Sequence, residues 1–144
     1  MVELVMLDAL AVMPVRQAVL APDAKSAPKR LFWDGDEEPR SMHLAVRDGK
    51  ALVAAVSLFH DPVGEVGSEV WRVRGPLVVE THRRQGHGRR LLQAVQAVVE
   101  KRGGGLWTRV PLPALPFYSG EGFTASSDAG KGAEDMLLVW HPKP

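Results

Sequence analysis

The residues of this chain best placed for chemistry lie in one stretch, Gly75-Pro-Leu-Val-Val-Glu-Thr-His-Arg-Arg-Gln-Gly-His-Gly-Arg-Arg-Leu-Leu92. An apolar strand ends near Val79, a turn carries Gly86 and Gly88, and an amphipathic helix follows. Glycines let the backbone take positive φ and let a ligand approach closely, so successive N–H groups can converge on one point. The first turn of the helix adds its own orphan N–H groups and the positive end of its dipole. Such a turn suits a phosphate. Between His82 and Arg102, Arg83, Arg84, Arg89, Arg90, Lys101 and Arg102 face a single acid, Glu100, in a chain whose formal charge is +1 overall.

Two common phosphate loops do not fit. No Gly-Lys-Ser/Thr follows, as a Walker loop needs, and Gly88 lacks the third glycine and downstream acid of a dinucleotide fingerprint. The five histidines contain no i, i+3 or i, i+4 pair, so a metal site is not expected. A nucleic-acid surface built on the arginines is disfavoured by the near-neutral total charge and by the lack of interleaved aromatic residues.

The elements that must position this loop can be read around it. Val2 to Leu7 reads as a first strand, and Asp8 stands where a helix cap could be. Pro14 would break a helix interior, which places the helix from about Met13 to Leu20. Pro22, Pro28, Pro39 and the acidic run Asp34 to Glu38 mark a long, solvated loop, though its acids could also draw a cationic amine. His43–Arg47 and Ala51–Phe59 read as strands around an Asp48-Gly49 turn. After a Pro/Gly loop, Val70 to Val79 forms the next strand. Leu91, Leu92, Val95, Val98 and Val99 share one face of a helix from Gly88 to Arg102, ended by three glycines. Leu106–Val110 and Met136–Trp140 complete the strands.

Composition bounds the answer. The 144 residues are 45% hydrophobic and 24% charged, an ordinary balance for a globular chain, and no linker or repeat divides them, so a single domain is expected. The absence of cysteine rules out disulfides, cysteine-ligated zinc, a thiol nucleophile and iron–sulfur clusters. No apolar run approaches the ~20 residues of a membrane span, and the N-terminal run lacks the basic segment of a signal peptide. A cytoplasmic protein without membrane partners is expected.

Arg83-Arg84-Gln85-Gly86-His87-Gly88 fits Arg/Gln-x-x-Gly-x-Gly/Ala, and so resembles the acetyl-CoA signature of the GCN5-related N-acetyltransferase (GNAT) superfamily. Arg72 to Val79 resembles that family's fourth strand, Leu106-Trp107 its fifth, and Phe117-Tyr118-Ser-Gly-Glu-Gly122-Phe123 its Phe-Tyr-x-x-x-Gly-Phe segment. The three pieces, in the right order and spacing, cover about residues 70 to 125.

The resemblance implies an α/β fold: a mixed, twisted sheet of six or seven strands flanked by helices, with a V-shaped cofactor cleft between the fourth and fifth strands. It implies that the pyrophosphate of acetyl-CoA lies on the loop Arg83, Arg84, Gln85, Gly86, His87, Gly88 and Arg89. Pantetheine would hydrogen-bond along Leu77 and Val78, a strand N–H would polarise the thioester carbonyl, and Tyr118 would be the general acid. The implied reaction is direct acetyl transfer to the amine of a small molecule or peptide, with acetyl-CoA as cosubstrate and no metal. The alternative is a domain that binds acetyl-CoA or CoA as a sensor or scaffold without catalysis. Dimers are common in the family, and the sequence does not fix the oligomeric state.

No base is singled out; Glu69, His60, Glu80 and His43 are all candidates. The chain departs from the family pattern at Arg109, where an Asn is frequent, at Glu121 in an apolar position, and at His87 between the glycines. Pro111, Pro113 and Pro116 crowd the turn before Tyr118, so its helix must be short.

Overall fold

The computed structural model describes residues 2–25, 31–61, 70–126 and 135–142. Pro28, Glu69 and most of the Pro/Gly loop after Asp61 lie outside the described residues. The chain divides into two compact units, one of residues 1–59 and 74–92, the other of 60–73 and 93–144. One strand and one helix run through both.

In the first unit, β1 (Val2–Leu7) pairs antiparallel with β2 (Met42–Asp48), and β2 with β3 (Ala51–Phe59). Seven consecutive buried residues, Val53 to Phe59, give β3 the apolar run of a strand covered on both faces. The hairpin turn sits one residue later than the sequence indicates: Asp48 pairs with Ala51, so the central residues are Gly49 and Lys50, and only Gly49 has positive φ (64°). α1 (Ala9–Leu20) starts four residues earlier than expected. Asp8 caps it by accepting the Ala11 N–H at 2.9 Å, and Pro14 lies inside the helix on its exposed side, where it leaves the Leu10 carbonyl without a helical donor. The buried positions Ala9, Val12, Met13 and Arg16 follow the i, i+3, i+4, i+7 helical spacing. An arginine in that series is what hides the periodicity. Val12 and Val15 pack on Ala45 and Ala55, with Val5, Leu7, Leu52, Leu77 and Val79 around them.

The second unit begins β4 (Val70–Val78), whose last residues, from Arg74, belong to the first unit. β4 pairs in parallel with β5 (Gly105–Pro111) at Val70↔Gly105, Trp71↔Leu106 and Arg72↔Trp107. There the ladder ends: the next carbonyl, of Val73, accepts the Thr108 hydroxyl at 2.7 Å instead. β7 (Asp135–Trp140) pairs antiparallel with β5 and with the two-residue β6 (Thr124–Ala125), which the sequence does not reveal. The whole is a seven-stranded mixed sheet in the order β1-β2-β3-β4-β5-β7-β6, as the fold class predicts.

α2 (His87–Lys101) carries the expected apolar face, with Leu91, Leu92, Val95 and Val99 buried. It ends where Gly103 (φ 71°) lets its own N–H reach the Glu100 carbonyl and that of Gly104 reach Val99. α3 (Leu115–Ser119) is five residues long: Pro111 and Pro113 precede it, Pro116 stands in its first turn, and it ends at Gly120.

Candidate functional site

The first unit brings together all nine residues assigned to the cofactor. After β4, Glu80–His82 makes one 3-10 turn, and the chain then reverses through Arg84 (φ 63°) and Gly86 (φ 84°) before α2 begins at His87. The Gly86 carbonyl accepts the Arg90 N–H at 3.0 Å, the first bond of the helix. Gly86 is therefore the cap, and the His87 and Gly88 amides have no intrahelical acceptor. Two positive-φ residues around Gln85, followed by a helix start, form a concave set of backbone amides suited to a phosphate. A Cβ on Gly86 would touch nothing within 4 Å, so glycine is needed there for φ and not for space.

The side chains of this loop serve its shape or face solvent. His87 is buried and its Nε2–H donates to Gln85 Oε1 at 3.2 Å, which is how a histidine fits between the two glycines. Arg84 and Arg89 are exposed. Arg83 Nε–H donates to the Val78 carbonyl at 3.0 Å and ties the loop to its own strand. The Val79 N–H donates to Val53 of β3 at 2.9 Å. Peptide groups alternate along an extended chain, so those of Val78 point away from β3. Leu77 places its side chain in the apolar cluster with Val12, Val15, Ala45 and Ala55.

Tyr118 belongs to the second unit. It is buried on α3, with Phe117 and Phe123 edge-on at 5.1 and 5.6 Å between ring centroids. Burial pushes its phenol up to about 12, so the group is protonated at any physiological pH. The Phe123 and Glu121 N–H groups bond to its carbonyl, which fixes the backbone that carries the ring. Glu121, the departure from the apolar pattern, accepts Gln93 Nε2–H at its carboxylate and Gln96 Nε2–H at its carbonyl, each at 2.8 Å.

Asp34, Glu37 and Glu38 are exposed, as a solvated acidic run implies, but Asp36 is buried. Arg16, 1% exposed, forks onto both oxygens of Asp36 at 2.7 and 2.8 Å and also donates to the Leu31 carbonyl and to Ser57 Oγ. The Trp33 N–H donates to the same carboxylate at 2.8 Å. Burial alone would raise the Asp36 pKa, but the hydrogen bonds from Arg16 and Trp33 and the Arg16 charge hold it below the usual carboxylate value. His43 closes the network. Its Nε2 meets the Asp36 carbonyl at 3.2 Å, and a carbonyl only accepts, so Nε2 carries the proton. Nδ1 then accepts the Ser57 hydroxyl at 2.8 Å. Burial, against the pull of Asp36, lowers the His43 pKa.

With both ring nitrogens engaged in a buried network, His43 holds the 31–36 turn and has no nitrogen to offer as a base. Of the other candidates, Glu80 is exposed in the 3-10 turn and His60 lies edge-on to Trp71 in the second unit. The buried pair Arg16–Asp36 escapes sequence reading, and the one available signal was an arginine at a position in α1 that faces the core. Beside the turn, a cavity of about 420 Å³ is walled by Leu10, Phe32, Trp33, Asp34, Glu37 and Glu38, among others.

Among the described residues, no group of three His, Cys, Asp or Glu could hold a metal ion, and no helix is long and apolar enough to cross a membrane. No curated protein sequence matches this one. Escherichia coli ElaA is similar in structure, at 15% identity and a TM-score of 0.78 over 98% of this chain and 100% of that one. The ribosomal-protein-S18-alanine N-acetyltransferase from Escherichia coli is 17% identical with a TM-score of 0.74, over 98% of this chain and 94% of that one. An aminoglycoside 6'-N-acetyltransferase complexed with coenzyme A is 13% identical with a TM-score of 0.74, over 99% of each chain. At these identities the likeness speaks for the fold. The family model described as "Acetyltransferase (GNAT) family" matches residues 9–123, most of the chain, and this chain therefore belongs to the GNAT acetyltransferase family.

Proposed function

We propose that the chain transfers an acetyl group directly from acetyl-CoA to a primary amine. The observation that carries this reading is the loop from Arg83 to Gly88, with positive φ at Arg84 and Gly86 and a helix start at His87. In this reading the loop amides take the pyrophosphate, with Arg83, Arg84 and Arg89 lending positive charge. The pantetheine arm lies along Leu77 and Val78, and the Val78 N–H, turned away from β3, is the strand's main contact, its carbonyl being held by Arg83.

The neutral amine attacks the thioester carbonyl carbon. A C–N bond forms, the C–S bond breaks, and the amine loses a proton while the departing thiolate gains one. An alkylamine near pKa ~10 is mostly ammonium at neutral pH, so it must shed a proton before attack. Tyr118 delivers the proton to sulfur. As a phenol near 12 it is always loaded, but it is a weaker acid than an unperturbed tyrosine facing a thiol of pKa ~8.5.

That same burial favours a second reading, a domain that binds acetyl-CoA or CoA without transferring from it. Amine-dependent release of CoA separates the two. The transferase reading predicts release with wild type and a kcat lowered roughly 100-fold or more in Tyr118→Phe, the range of a lost general acid. Tight acetyl-CoA binding with no release for any amine class would leave only the binding domain.

A further inference from the structure

We infer that the cavity beside α1 is where the acceptor sits, and that the acceptor is a small primary ammonium carried on an apolar body, aromatic or branched-alkyl. The inference rests on the transferase reading and names the substrate class of that same site.

Two of the cavity's walls are apolar and open. Leu10 is 71% exposed and Phe32 51%, among the largest exposures of any apolar side chain described, and both face one cavity. At about 420 Å³ it is of the size that takes a small molecule. The third wall, Trp33, is fixed: the Arg16 and Arg74 guanidinium carbons lie 3.6 and 3.9 Å from its ring centroid. The rim is acidic. Asp36 is already neutralised by Arg16, but Asp34, Glu37 and Glu38 are exposed around the opening, and the described residues that line the cavity include no basic side chain.

An ammonium ion is drawn to that rim. Its carrier must then rest on Leu10 and Phe32, which offer no hydrogen bond, so hydroxyls placed there would lose their water partners without replacement. An amino sugar is disfavoured and an arylalkylamine favoured. The cavity is also tied to the cofactor strand, because Arg74 stands on β4 four residues before Val78.

The test is calorimetry of the full chain saturated with CoA, titrated with 2-phenylethylamine, isoamylamine, spermidine, glucosamine and a short peptide, beside CoA release with the same amines. We expect 2-phenylethylamine and isoamylamine to bind at least tenfold more tightly than glucosamine and to be turned over first. Phe32→Ala, at an exposed site that spares the core, should raise KM for 2-phenylethylamine about tenfold with little change in kcat. Glu37→Gln should weaken all the amines alike. Turnover led by glucosamine, spermidine or the peptide, or a Phe32→Ala variant with unchanged KM, overturns the inference while the transferase reading stands. Failure of acetyl-CoA itself to bind removes both.

Discussion

The loop from Arg83 to Arg89 and the turn from Leu31 to Glu38 belong to the same unit and keep their shapes by opposite means. The first is set mainly by its main chain: two positive-φ residues, a glycine cap and the start of a helix, with Arg84 and Arg89 exposed and Arg83 tied back to the Val78 carbonyl. The second is set by side chains from distant elements. Arg16 from α1 and His43 and Ser57 from β2 and β3 meet around Asp36, and Ser41 Oγ–H donates to the Gly35 carbonyl at 2.6 Å. A site built from backbone tolerates side-chain change and fails when φ is forbidden. A site built from a buried side-chain network fails when one partner is lost, because the other is left buried and uncompensated.

The sharpest way to break this contrast is at Arg16. Arg16→Met leaves the Asp36 carboxylate buried without its counter-charge, and we expect a loss of about 3–5 kcal/mol in urea unfolding. Adding Asp36→Leu should restore much of it, since the pair can be replaced by apolar packing. Acetyl-CoA affinity of the folded protein should stay within a few-fold of wild type.

Gly86→Val is the reciprocal change. Nothing crowds the new Cβ, so the cost is the forbidden φ alone, of the order of 1–3 kcal/mol. The expected signature is at least a tenfold drop in acetyl-CoA affinity by calorimetry. Equal affinity for Gly86→Val and wild type would mean that the loop's backbone is not what holds the cofactor.

The smallest expected effect is a dependence on pH confined to the side-chain network. The folded-state pKa of His43 lies below its ordinary 6.5, so the unfolded chain takes up the proton first. Stability from this group is whole above about pH 6.5 and declines as pH falls below it, with a slope no steeper than about 1.4 kcal/mol per pH unit. Asp36, lowered from 3.8, adds its own loss only below about pH 4. Urea midpoints measured between pH 7 and 5 should fall in wild type and fall less in His43→Gln.

The contrast also explains what the sequence makes legible. β1, the apolar face of α2, the short α3 and the glycine loop follow from local rules of period, capping and positive φ, and their positions are close to those expected. The start of α1 is hidden because Pro14, read as a breaker, stands on the solvent side, and because Arg16 interrupts the apolar series. Asp36 reads as one acid in a polar run. Only its partner twenty residues away makes it buried, and a pair at that separation leaves no periodic mark. Two residues, Thr124 and Ala125, are too few for any strand pattern.

The most direct test of the central claim is an acetyl-CoA titration followed by amide NMR of the ¹⁵N-labelled protein. If the backbone of the loop holds the pyrophosphate, the Gly86, His87, Gly88 and Arg89 amides should show the largest shifts and saturate with the calorimetric affinity. Saturable binding that leaves those four resonances unmoved would contradict it.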